Sequence, residues 1–167
     1  GGMGADINKA AGGTDSKGGG IFISGNNSAL TLTNVAVKGN TADKDGGGIY
    51  VNANAKLTVS GGSIADNKSD SGRGGAIAFE EGKTLTIQNA CTVSGNTAQN
   101  SGGAVYIAGG TFEADGVTFK GNGSHGKGGA ICAEKTGTSP SIVRIKGGTV
   151  GGMGADINKA AGGTDSK

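Results

Sequence analysis

Apolar and polar residues alternate along this chain in short bursts, as in Ile21-Phe22-Ile23, Leu30-Thr31-Leu32, Leu57-Thr58-Val59, Leu85-Thr86-Ile87 and Val143-Arg144-Ile145. Period two belongs to strands with one face turned to a core, and no useful length keeps the 3.6-residue period of a helix. The bursts recur. A Gly-Gly-[Gly/Ala]-[Ile/Val] marker begins at Gly18, Gly46, Gly74, Gly102 and Gly128, at spacings of 28, 28, 28 and 26 residues. A second marker follows each in turn: Val37-Lys38-Gly39-Asn40, Ile64-Ala65-Asp66-Asn67, Val93-Ser94-Gly95-Asn96 and Phe119-Lys120-Gly121-Asn122. The fifth copy is degenerate, Val150-Gly151-Gly152-Met153, with Met153 in the Asn place.

A short strand cannot cover its own apolar side, but an identical neighbour stacked on it can. The spacing therefore predicts an all-β fold, a right-handed parallel β-helix (β-solenoid) with coils starting near residues 18, 46, 74, 102 and 128. The hand follows from the strong preference of parallel crossovers. Five rungs at a strand spacing of about 4.8 Å advance about 24 Å.

A longer repeat frames the short one. Residues 1–17 recur unchanged as 151–167, an offset of 150. Residues 1–167 thus read as a single solenoid segment with five coils per 150-residue unit, from an array of near-identical units or a chain that overlaps itself. Residues 154–167 and their copy 4–17 form a long insertion. Its Asp156–Ala161 stretch predicts one helical turn projecting from the shaft, with Asp156, Asn158 and Lys159 as a candidate contact loop.

Alternation assigns the faces. Ile21/Ile23, Ile49/Val51, Ile77/Phe79, Val105/Ile107 and Ile131/Ala133 should point inward, leaving Phe22, Tyr50, Ala78, Tyr106 and Cys132 outward. Phe22, Tyr50 and Tyr106 are an expected external aromatic stripe. Glu113 with Arg144, and Asp115 with Lys146, should oppose unlike charges on adjacent rungs. Asn40, Asn67, Asn96 and Asn122 should form an inward ladder of amides at a corner. The doublets Gly18-Gly19, Gly46-Gly47, Gly74-Gly75, Gly102-Gly103 and Gly128-Gly129 mark corners where a side chain would clash.

Composition narrows the picture further. Of 167 residues 38 are Gly, only 29 are Leu, Ile, Val or Phe, and none is Trp. That supply suits a thin repeated stripe, not a thick core. The net charge is +2 without a basic block, so no nucleic-acid partner is expected. No apolar run approaches the length of a membrane span in this segment. Cys91 and Cys132 fit neither a disulfide framework nor a zinc site and read as small fillers, and His125 stands alone in a loop. Gly151-Gly152-Met153-Gly154-Ala155-Asp156 matches the opening of a calcium-binding nonapeptide, but no tandem neighbour follows it. No metal or cofactor is expected. No paired carboxylates fall on one face in adjacent coils, so the reading is non-enzymatic.

The pairing of Gly74–Ile77 and Gly128–Ile131 with Phe119–Asn122 resembles the GGA[ILV] and FxxN repeats of the chlamydial polymorphic membrane proteins. The resemblance implies a bacterial surface β-helix of the kind carried by autotransporter passengers, exported and displayed as adhesins. The resulting expectation is a non-enzymatic structural module of a bacterial extracellular fibre, stalk or surface filament, assembling with itself end to end or laterally. The alternative is an adhesin that meets a host surface protein or glycan through the insertion loop or the aromatic stripe.

Overall fold

The structure, a computed structural model, describes residues 8–11, 16–52, 54–81, 83–135, 139–151 and the backbone of 159–160. Among them there are strands and turns but no helix. The strands form four parallel sheets, each built from one strand per coil. The first face stacks Ile21–Ile23, Ile49–Val51, Ile77–Glu80, Val105–Ala108 and Ile131–Glu134. The second stacks Ala29–Thr33, Lys56–Ser60, Thr84–Gln88, Gly110–Asp115 and Ser141–Lys146. The third stacks Ala36–Lys38, Ser63–Ala65, Thr92–Ser94, Thr118–Lys120 and Thr149–Val150. A narrow corner sheet holds six two-residue strands: Lys9–Ala10, Thr41–Ala42, Lys68–Ser69, Thr97–Ala98, Gly123–Ser124 and Lys159–Ala160. The molecule is a parallel β-solenoid of about five coils.

Register explains why the sequence repeats. Leu30, Leu57, Leu85, Phe112 and Val143 lie one above another, as do Leu32, Val59, Ile87, Ala114 and Ile145. A slip of one residue would turn each of these columns to solvent. In the middle rungs the inward side chains are sealed, with Ile49, Leu57, Ile64, Phe79, Ile87, Phe112 and Phe119 fully buried in one continuous core. Phe112 and Phe119 close the wedge between the second and third faces edge to face, with ring centres 6.4 Å apart.

The chain bends between those two faces at a column of left-handed residues: Asn34, Gly61, Asn89, Gly116 and Gly147, with φ from 54° to 68°. Only glycine and, at modest cost, asparagine take that conformation readily, which is why the column holds these two residue types alone.

The insertion departs from its expected form. The expected helical turn over Asp156–Ala161 is not what its described part adopts, because Lys159–Ala160 is a strand paired with Gly123–Ser124. Its copy, Lys9–Ala10, pairs with Thr41–Ala42 at the other end of the same sheet. The physical reason is hydrogen bonding. A single isolated helical turn fixes many torsions for little return, whereas the strand receives Thr41 N–H on Asn8 O at 3.0 Å and Asp43 N–H on Ala10 O at 3.1 Å.

Candidate functional site

Two built features and one open face stand out, and all arise from side chains repeated in register. The first is the amide ladder. Asn40, Asn67, Asn96 and Asn122 are at most 3% exposed and lie one above another inside the corner. Each Nδ2 donates to the next Oδ1: Asn40 to Asn67 at 2.9 Å, Asn67 to Asn96 at 2.9 Å and Asn96 to Asn122 at 3.0 Å. The same oxygens accept the backbone N–H of Asn40, Asn67 and Asn96. The remaining amide protons of Asn67, Asn96 and Asn122 go to the carbonyls of Val37, Ile64 and Val93. Donors and acceptors are thus matched where burial makes an orphan costly.

The ladder has a further member that the Gly-Asn marker conceals. Asn8 Nδ2 donates to Asn40 Oδ1 at 2.9 Å, so Asn8 continues the column. Its copy in the 17-residue repeat is Asn158, not Met153. In the sequence the fifth copy's counterpart of the ladder asparagine is therefore Asn158, with seven residues between it and Val150 where the other copies leave two, and not Met153. Spacing from Val150 hides it; the triplet Asn-Lys-Ala beside Asn40-Thr41-Ala42 and Asn67-Lys68-Ser69 is the signal that reveals it. Met153, Asp156 and Asn158 lie outside the described residues, as does most of the candidate contact loop, and of Lys159 only the backbone is described.

The glycine doublets frame this corner. The first of each pair, Gly18, Gly46, Gly74, Gly102 and Gly128, has φ between 64° and 72°. At the second the rungs approach so closely that a Cβ on Gly19, Gly47, Gly75 or Gly103 would lie 2.1–2.4 Å from the carbonyl oxygen of the matching glycine, Gly47, Gly75, Gly103 or Gly129, one rung on. These glycines are required by backbone contact, not by a ligand.

The second feature lies on the outer side of the first face, and it corrects the expected aromatic stripe. Phe22 is 56% exposed, but Tyr50 and Tyr106 are only 1% and 2% exposed. Phe22 stacks on Tyr50 with ring centres 5.3 Å apart. The tyrosines are roofed by charge. Lys17 Nζ sits 4.6 Å from the Tyr50 ring centre and bonds its hydroxyl oxygen at 3.0 Å, and that hydroxyl donates to Glu80 at 2.6 Å. Two rungs on, Arg73 lies 4.8 Å from the Tyr106 ring centre and bonds its hydroxyl oxygen at 2.8 Å, and Tyr106 donates to Glu134 at 3.0 Å. Cation, tyrosine and carboxylate occupy three successive rungs in both cases. Lys17 and Arg73 are 56 residues apart, as are Tyr50 and Tyr106. The coil thus carries a superperiod of two rungs, which a search for 28-residue identity passes over.

Arg73 also reaches Glu80 at 3.8 Å, and Lys127 reaches Glu134 at 3.3 Å, so the two clasps join into one strip. Burial and the bond to Glu80 push the Tyr50 hydroxyl up to about 12, and burial with the bond to Glu134 does the same for Tyr106. Burial disfavours the Lys17 ammonium, but the Tyr50 hydroxyl and the Glu80 and Asp45 carboxylates outweigh it and hold its pKa well above the usual lysine range. Cys132 points outward as expected, yet it is covered, packed with Tyr106 and Ala108. Cys91 is in the core, and burial pushes its thiol up to about 11. On the second face Arg144 meets Glu113 at 3.5 Å and Lys146 meets Asp115 at 3.6 Å, both exposed.

The open face is the last rung. The inward Val143, Ile145 and Val150 are 36%, 46% and 51% exposed, whereas Phe112, Ala114 and Phe119 one rung before are at most 2%; Ile142, 40% exposed, stands in the outward column of Lys56, Thr84 and Thr111.

Residues 34–52, 90–108 and 116–134 match the model of the Chlamydia polymorphic membrane protein repeat. Those three stretches are similar to that repeat. Each match runs from the bend before the third face, past the ladder asparagine and the glycine doublet, to the first-face strand, so it covers the corner described above. The likeness suggests a surface or outer-membrane protein built of β-helix repeats. No curated protein and no solved structure matches the chain.

Proposed function

We propose that the chain is a non-enzymatic structural module of a bacterial surface fibre or stalk, a stiff spacer made of tandem 150-residue units. One observation carries the reading. The same dipeptide of the duplicated segment, at Lys9–Ala10 and at Lys159–Ala160, occupies the two ends of one six-stranded corner sheet in parallel pairing. A unit that ends on the strand with which it begins adds to a rod without a break in register. The repeat likeness supports a surface location. The chemistry of the outer faces supports a mechanical role, because Lys17, Arg73, Lys127, Glu80 and Glu134 are engaged with one another and with the two tyrosines across successive rungs. Such ties link each rung to the next.

Electron microscopy of chains carrying one, two and three covalent units tests this reading. The expected rod lengthens by about 24 Å per unit at constant width. Units appearing as separate beads on a flexible thread would contradict it.

A further inference from the structure

We propose that the corner between the first and second faces, at the fourth rung, is a binding cleft for a neutral saccharide, a ligand that meets protein mainly through its hydroxyl groups. The inference goes beyond the rod reading and does not rest on it.

The cleft arises from loop lengths. Between the first-face and second-face strands the successive coils use five, four, three, one and six residues. At the fourth rung only Gly109 separates Val105–Ala108 from Gly110–Asp115, so the chain cuts the corner there. The notch left behind has a volume of about 550 Å³ and is lined by Asn54 and Glu81 on one side, Gly110 and Thr111 at the floor, and Ser139 and Pro140 on the other side. Small-molecule sites usually hold about 300–1,000 Å³. Gly109 lies deep between the two walls, since a Cβ there would be 3.4 Å from Ser139 Cβ and 4.0 Å from Glu81 Cα. Floor and walls all belong to this unit. A further unit would add its chain beyond Ser139–Pro140, not over the floor.

The site is fixed before any ligand arrives. Gly109 N–H donates to Ser141 Oγ at 2.8 Å, Gly110 N–H to Pro140 O at 3.1 Å and Thr111 N–H to Lys83 O at 3.2 Å. Glu81 is tied on both sides: its N–H donates to Ala108 O at 2.8 Å, and its carbonyl accepts Asn54 N–H at 2.9 Å. Its φ of 51° is a conformation that glycine takes at less cost. Strain of this kind gathers at functional sites, where the surrounding structure holds it.

The lining chemistry names the ligand class. Among the described residues the Glu81 carboxylate and the Thr111 and Ser139 hydroxyls have no hydrogen-bond or ion-pair partner, and Asn54 engages only its Nδ2, on Asn26 Oδ1 at 3.0 Å. The cleft thus offers acceptors at Glu81 and Asn54, and groups that both donate and accept at Thr111 and Ser139. Sugar hydroxyls match both kinds, and Pro140 gives the C–H face of a sugar ring an apolar wall. No cation is among the lining residues. Lys17 and Arg73, in the adjoining cavity that shares Glu81, are paired with Glu80. A phosphate, sulfate or acidic sugar would therefore meet the Glu81 carboxylate without a counter-charge. An ammonium can only donate, and it leaves the hydroxyl protons of Thr111 and Ser139 without an acceptor.

Amide NMR spectra of the isotope-labelled full chain, titrated with lactose, maltose, cellobiose and diacetylchitobiose, test the proposal. At least one sugar should shift the Gly110 and Thr111 amides, with a dissociation constant of about 1 mM or tighter. Glu81→Gly should weaken that binding at least about tenfold. Its urea midpoint should equal or exceed that of the original chain, because glycine suits φ 51°. Thr111→Val keeps the branched shape but loses the hydroxyl, and should weaken binding about threefold or more. Glu113→Gln, on the same strand but outside the cleft, should bind like the original. Shifts with none of the four sugars, shifts confined to residues away from this corner, or unaltered binding by the Glu81→Gly chain would overturn the site. A lowered midpoint in that chain would overturn the claim that Glu81 is kept for a ligand, and spermidine binding in place of the sugars would overturn the ligand class. None of these results bears on the length gained per covalent unit, so the rod reading is decided separately.

Discussion

Replacing Asn96 by alanine removes the middle of the amide ladder, and the cost follows from the bonds it makes. Asn96 Oδ1 accepts both the backbone N–H and one amide proton of Asn67, at 3.0 Å and 2.9 Å. Its Nδ2 donates to Asn122 Oδ1 and to the carbonyls of Ile64 and Ser94. In the alanine variant the two Asn67 donors lose their acceptor inside a corner that is 0% exposed. Each orphaned buried donor costs about 1–3 kcal/mol, so the expected loss is about 4 kcal/mol. Against a typical domain stability of about 5–15 kcal/mol this is severe. Urea unfolding followed by far-UV circular dichroism measures it. With a slope of about 2 kcal/mol per molar the midpoint should fall by about 2 M. Asn8→Ala provides the internal comparison, since Asn8 is exposed and only donates to the ladder, so its loss strands no donor of Asn40; about 1 kcal/mol or less is expected. Thr97→Ala, exposed beside Asn96, should change little, within about 0.5 kcal/mol. A loss below about 1 kcal/mol for Asn96→Ala would refute the claim that amide matching holds the corner.

Three further outcomes follow from the same geometry. The chain has two tyrosines and no tryptophan, so absorbance at 295 nm reads only the clasps, and ionisation should centre near pH 12, not 10. Because the folded phenols titrate above their unfolded value, the stability they contribute is complete below about pH 10 and drains away toward pH 12; Tyr50→Phe should reduce that alkaline loss, and equal slopes in both chains would refute the linkage. Both cysteines are buried with raised thiol pKa, so a thiol reagent at pH 8 should label neither until denaturant is added, and rapid native labelling of Cys91 would contradict its place in the core. Gly75→Ala drives a Cβ to 2.3 Å from Gly103 O and should cost more than about 2 kcal/mol, whereas Gly39→Asn, at φ 67° with nothing within 4 Å, should cost less than about 1 kcal/mol by the same unfolding assay.

Much of the fold is legible in the sequence because stacking forces equivalent residues into one column. Leu30, Leu57 and Leu85 repeat at coil spacing since each must cover the next, and Asn40, Asn67, Asn96 and Asn122 repeat since an amide is matched by another amide. Gly19, Gly47, Gly75 and Gly103 repeat because a carbonyl oxygen passes where a Cβ would sit. What stays hidden has a different period or a mixed identity. The tyrosine clasps recur every second rung and draw each partner from a different coil, so Tyr50 and Tyr106 read as exposed when their roof of Lys17, Arg73, Glu80 and Glu134 is not considered. The left-handed column of Asn34, Gly61, Asn89, Gly116 and Gly147 mixes two residue types that share a conformation, not a side chain. Asn8 escapes because inserted residues part its copy, Asn158, from Val150, although Lys9–Ala10 and Lys159–Ala160 keep the corner register.

Parallel, in-register stacking is the claim on which the rest depends, and a distance between its first and last rungs tests it most directly. Nitroxide labels at Thr31 and Arg144, one column and four rungs apart, in a background with Cys91 and Cys132 replaced by alanine, report that distance by pulsed electron spin resonance. Four steps of about 4.8 Å predict a narrow distribution centred near 19 Å. A broad distribution, or a centre beyond about 30 Å, would contradict the stack.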